Sequence, residues 1–113
     1  MWGTASAAYQ VEGAYLADGK GLNIWDAYCQ EGNHIAHGEN GNVACDHYHH
    51  YKEDVALLKK LGVKAYRLSV SWPRVMSGPD TVNPKGLEFY SKLVDELKAA
   101  GIEPMVTIFH WNL

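Results

Sequence analysis

The sequence predicts an α/β fold, the first three strands or so of a (βα)8 barrel, with residues 1–113 as the N-terminal part of a single barrel domain. Three observations carry this reading. First, Leu58 to Trp72 (LKKLGVKAYRLSVSW) and Leu97 to Trp111 (LKAAGIEPMVTIFHW) repeat one plan: a helix end, a glycine, then an apolar run. Gly62 and Gly101 fall where a helix C-terminus favours positive φ, which carries no steric penalty without a Cβ. Second, the apolar runs are short and rich in β-formers, so they read as buried strands, and two helix-to-strand steps in one sense are the trace of parallel βα units. Third, the thirty-nine-residue step between the two glycines fits a barrel unit with a modest loop insertion, since a barrel of about 250 residues gives each of eight units about 31. Parallel sheets need both faces covered, so the chain reads as the opening portion of a larger domain, incomplete by itself.

Each element follows from local chemistry. Trp2 to Ser6 predicts a first strand, followed by a turn carrying Gln10 and Glu12; the small residues of Met1 to Ala14 suit a crowded barrel end. Asp18 to Gly21 (DGKG) predicts a turn, and Asn23 caps a short helix holding Ile24, Trp25 and Tyr28. Glu31 to Asn42, with three glycines and almost no apolar content, is a loop. Asp46 is the expected N-cap of a helix running to Leu61, because Tyr48, Tyr51, Val55 and Leu58 recur at three- and four-residue steps. A strand then runs to Trp72, and Pro73 with Ser77 to Asp80 makes a long turn. Asn83 and Pro84 supply the cap and first position of the next helix, with Leu87, Tyr90, Val94 and Leu97 on one face until Gly101. Pro104 is tolerated near the start of the last strand, which is read as Ile102 to Leu113.

Composition sets outer bounds. Hydrophobic residues at 47% and charged ones at 20% describe a globular protein and exclude a disordered tail. A net charge of −3 argues against a nucleic-acid partner, which needs a basic stripe. No apolar run approaches the ~18 residues of a membrane span, and no leader pattern opens the chain, so a soluble, cytoplasmic protein is the expectation. Cys29 and Cys45 are expected as free thiols rather than a bridge.

Alternation along the strands points to a site. Arg67, Ser69 and Ser71 share one side of their strand, and Tyr66, Leu68, Val70 and Trp72 the other. The thirty-nine-residue offset places Val106, Ile108 and His110 on the side of Arg67, which is expected to be a buried or half-buried cation facing the barrel interior and in need of acceptors. His110 and Trp111 close the last strand at its C-terminal end, where barrel enzymes build their sites. Imidazole and amide groups suit sugar hydroxyls and an indole suits the C–H face of the ring. A core hydrogen bond for His110 and simple packing for Trp111 account for the periodicity equally well.

The segments WGTASAAYQVEGA, GKGLNIWD, ACDHYHHYKEDVALLKKLGVKAYRLSVSWPR, GLEFYSKLVDELKAAGIEP and VTIFHWNL, in this order over nearly the whole chain, resemble the N-terminal portion of glycoside hydrolase family 1, the β-glucosidase family. The resemblance implies a (βα)8 TIM barrel that hydrolyses O-glycosidic bonds of small β-glycosides with retention, using two glutamates about 5 to 5.5 Å apart. It implies no cofactor. It places Gln10, His110 and Trp111 at the non-reducing sugar, and Arg67 beside the nucleophile, where its charge keeps that carboxylate ionised. The remainder of the barrel is then the fragment's partner.

In the family the acid/base lies in an Asn-Glu-Pro motif after the fourth strand and the nucleophile in a Glu-Asn-Gly motif after the seventh, so no catalytic residue is assigned within residues 1–113. Glu39-Asn40-Gly41 spells the second motif but sits in a polar loop, and Glu103-Pro104 begins a strand at the barrel end opposite the chemistry. Two departures from the family pattern stand out: only Met1 precedes Trp2, and Asn112 occupies the place of a usual Asp. A rival reading is a non-catalytic glycosidase-like binding or receptor module. A metal site at His47, His49 and His50, with His34 and His37 upstream, is disfavoured, because His47 and His50 share a helix face while His49 points away.

Overall fold

The computed structural model describes residues 1–32 and 34–110. Its elements are β1 (Gly3–Ala5), α1 (Ala8–Val11), α2 (Ile24–Gln30), α3 (His47–Leu61), β2 (Ala65–Ser69), α4 (Trp72–Val75), β3 (Met76–Gly78), β4 (Thr81–Val82), α5 (Pro84–Ala99) and β5 (Glu103–Thr107). The strands β1, β2 and β5 form one sheet in that order, with both ladders parallel. Among the described residues no helix is long and apolar enough to cross a membrane.

The two expected helix-to-strand steps are present. Gly62 (φ 79°) and Gly101 (φ 73°) turn the chain out of α3 and α5 in the left-handed region. Tyr48 and Val55 of α3 and Phe89, Tyr90, Leu93 and Leu97 of α5 then pack with Tyr66 and Leu68 of β2 and with Ile102. Both helices thus cover one face of the sheet, and fully burying a side chain such as Leu93 or Leu97 contributes about 1.5–3 kcal/mol. The first strand is short, yet Lys64 N–H donates to Trp2 O and Ser6 N–H to Arg67 O, so its pairing reaches the expected limits.

Several expectations are corrected. The ladder pairs Arg67 with Met105, Leu68 with Val106 and Ser69 with Thr107, a thirty-eight-residue offset rather than thirty-nine. Val106 therefore lies on the face of Leu68, while Met105 and Thr107 share the face of Arg67 and Ser69. A sequence repeat aligns chain with chain; register is set by the stagger between neighbouring strands, and one residue reverses the face. Arg67 does face away from the helices, but it is exposed, and among the described residues it has no ion-pair partner. The buried arginine is Arg74.

The strand after Gly62 ends at Ser69, and Trp72 opens α4 instead of closing the strand, because Pro73 at the start of a helix has its φ preset. The expected long turn is one helical turn followed by the hairpin β3 and β4. The last strand is Glu103–Thr107, shorter than expected. In α5 the buried face runs through Phe89, Tyr90, Leu93 and Leu97, leaving Leu87 exposed; Gly86 fixes that phase by meeting Arg74 O, where a Cβ would sit at 1.9 Å. Asn23 forms a complete capping box with Asp26. Asp46 and Asn83 stand at the expected helix starts without capping by side chain: Asp46 accepts from His49, and Asn83 donates to Asp18 O and Arg74 O.

Candidate functional site

Parallel strands place all their C-terminal ends at one edge of the sheet, so whatever follows β1, β2 and β5 is gathered there. Beyond β1 the chain enters α1, which carries Gln10. Beyond β5 it bends at Ile108 and reaches His110, whose direction is set by that bend rather than by strand alternation. Because β2 lies between β1 and β5, the two side chains converge from either flank. They line one cleft of about 350 Å³ together with Ala7, Ala8, Tyr9 and Trp25. Trp111 and Asn112, singled out from the sequence, lie outside the described residues.

A buried polar network lies around the residues that follow α1. Arg74 is fully buried; its Nε donates to Glu12 Oε1 at 2.8 Å, its Nη2 donates to Gly13 O at 3.0 Å, and its guanidinium lies 4.2 Å from the Tyr48 ring centroid. Tyr90 donates its hydroxyl to Glu12 Oε2 at 2.5 Å and accepts from Ser71 N–H. Burial, reinforced by the Glu12 charge, pushes the Tyr90 hydroxyl well above its ordinary range. Beside it, Lys20 Nζ donates to Asp26 Oδ2 at 3.0 Å; burial draws the Lys20 ammonium down from its usual value, and the Asp26 contact opposes that. The sequence signal for this network was weak, since Arg74 reads as one more charge after a proline and its partner lies sixty-two positions away.

An aromatic run borders the cleft. Tyr9 and Trp25 have ring centroids 6.4 Å apart, and Tyr28 continues the series edge-on to Trp25. Burial and a hydrogen bond with Cys29 push the Tyr9 hydroxyl up to about 12. Cys29 and Cys45 are both free thiols. Tyr9 and Trp25 could be found in the sequence as aromatics near a capped helix, but nothing in the spacing says that they meet.

The two glutamate lookalikes fall in different places. Glu39 is exposed in the loop and directly follows a single 3-10 turn (Ala36–Gly38) rather than a strand. Glu103 is the first residue of β5, at the sheet edge opposite the cleft. The histidines have local partners. His47 is buried edge-on against Tyr66 and Phe89 with Nδ1 2.6 Å from Asp54, and His49 contacts Asp46. His50 lies near Asp46 and Glu53, and His34 near Glu31.

An amide, an imidazole and aromatic faces around an open cleft are the groups that take hydroxyls and the apolar face of a ring. The cleft lining contains no carboxylate among the described residues, so chemistry on a ligand there that needs a carboxylate requires groups from elsewhere.

Comparison with known proteins gives a consistent result. The model of glycosyl hydrolase family 1 matches residues 1–113. Among curated relatives, β-glucosidase A of Thermotoga maritima is 51% identical over the whole chain and aryl-phospho-β-D-glucosidase BglC of Bacillus subtilis is 53% identical. This chain spans 26% and 24% of their lengths, about a quarter. The solved family 1 β-glucosidase of Thermotoga maritima superposes with a TM-score of 0.97 at 51% identity, covering all of this chain and 26% of that one, and it has also been solved in complex with castanospermine.

Proposed function

This chain belongs to glycosyl hydrolase family 1, and from that premise we propose that it forms the glycon-binding side of a retaining β-glycosidase acting on β-D-glucosides or close relatives. The observation that carries the proposal is the arrival of Gln10 and His110 from the two outer strands at one cleft on the C-terminal edge of a parallel sheet. Gln10 and His110 hydrogen-bond hydroxyls of the non-reducing sugar, and Trp111 offers its indole to the same ring. Arg67, on the sheet face away from the helices, stands beside the nucleophile and keeps that carboxylate charged. The two glutamates belong to later strands of a (βα)8 TIM barrel. Support for further strands comes from β5, where Met105 and Val106 are 55% and 45% exposed on its two faces.

Hydrolysis then follows the two-carboxylate route: one glutamate protonates the leaving oxygen while the other attacks the anomeric carbon, and water, giving its proton to the first, then cleaves the glycosyl-enzyme and releases the sugar. Residues of this chain orient the sugar and exclude water from its apolar face. The test is kcat/KM of the full-length protein on p-nitrophenyl β-D-glucoside. Gln10→Ala and His110→Ala should each lower it by about 10- to 100-fold, and unchanged values refute the assignment. Sugar binding without turnover in the wild type supports the non-catalytic module instead.

A further inference from the structure

The single helical turn that carries Gln10 is clamped at both ends, by Ser69 before it and by Arg74 after it, where Tyr90 and the Tyr48 backbone N–H also donate to Glu12. Ser69, at the end of β2, accepts the Ala8 backbone N–H on its Oγ at 2.7 Å, fixing the first residue of α1. At the other end Arg74 holds Glu12 and Gly13, the two residues that follow α1. Ser69 and Arg74 are 3% and 0% exposed, and neither lines the cleft. Four residues are far too few to persist as an isolated helix. The direction of α1 is therefore set by these tertiary bonds.

We propose that Ser69 and Arg74 are positioning residues for Gln10, fixing α1 over the end of β2 so that the Gln10 amide meets a sugar hydroxyl. The inference rests on the glycosidase reading above. It follows from the chemistry of such sites, where a displacement of about 1 Å in an orienting group lowers rates by about 100-fold. With one clamp removed the other still holds its end of α1, so a smaller displacement and a smaller loss are expected.

The experiment is a double-mutant cycle in the full-length protein, reading kcat/KM on p-nitrophenyl β-D-glucoside for wild type, Ser69→Ala, Gln10→Ala and the pair, with Tm recorded for each. Ser69→Ala should lower kcat/KM about tenfold in the wild-type background and hardly at all when Gln10 is already Ala. Ser69→Thr, which keeps the hydroxyl, should recover most of the loss. Arg74→Lys, which keeps the charge and removes the guanidinium fork, reads the second clamp through the same cycle and should also lose its effect without Gln10. Equal losses in both backgrounds, or no loss from either clamp while Gln10→Ala remains impaired, overturn the positioning role. If Gln10→Ala alone has no effect, the sugar-site reading itself fails, and the two failures are thereby told apart.

Discussion

Arg74 and Glu12 form an ion pair closed to water, with Nε 2.8 Å from Oε1 and side chains 0% and 5% exposed. It ties the turn after β1 to the turn after β2, and neither charge has access to solvent if its partner is lost. Glu12→Leu or Arg74→Met alone should each cost about 3–5 kcal/mol, because each leaves an uncompensated charge. The double replacement Glu12→Leu with Arg74→Met should cost less than the two single changes together. Chemical denaturation of the full-length variants measures this, and strict additivity contradicts it.

Gly86 and Gly62 are required for different reasons, and alanine separates them. An interior helical glycine replaced by alanine ordinarily gains about 1 kcal/mol, but a Cβ on Gly86 would meet Arg74 O at 1.9 Å, so α5 must move away from α4. Gly86→Ala should therefore lose about 1–3 kcal/mol. A Cβ on Gly62 meets nothing within 4 Å, yet its φ of 79° carries a penalty of about 1–2 kcal/mol for alanine. A gain in stability from Gly86→Ala contradicts the close approach.

Alkaline stability should track buried tyrosines. Burial, and then the hydrogen bond it donates to Asp18, pushes the Tyr48 hydroxyl up from 10 to about 12. The folded protein keeps this proton where the unfolded chain releases it. The contribution is complete below the ordinary tyrosine value of 10 and is lost as pH rises through about 12. Tyr66 and Tyr90, also raised chiefly by burial, act in the same sense. Stability of the full-length protein should fall across that window, and less steeply in Tyr48→Phe. An unchanged slope in that variant contradicts the assignment.

What the sequence disclosed, and what it hid, follows from the range of each signal. Capping at Asn23, the glycine stops at Gly62 and Gly101 and the buried stripe of Tyr48 and Val55 are written within a few residues, so they were legible. Register was not. The repeat of glycines measures distance along the chain, whereas the pairing of Arg67 with Met105 measures stagger across the sheet. The Arg74–Glu12 pair was hidden for the same reason, since partners sixty-two positions apart leave no local pattern. Gln10 and His110 were singled out separately, by resemblance and by position at a strand end; only the parallel topology brings them to one cleft.

The central claim is that Gln10 and His110 grip one sugar from opposite flanks of β2. It is tested most directly by a crystal structure of the full-length protein with castanospermine, the inhibitor already seen in the Thermotoga maritima enzyme. The account predicts the Gln10 amide and the His110 imidazole both within hydrogen-bond distance, about 2.7–3.2 Å, of inhibitor hydroxyls. An inhibitor bound elsewhere, or seated in the cleft with neither side chain in contact, contradicts it.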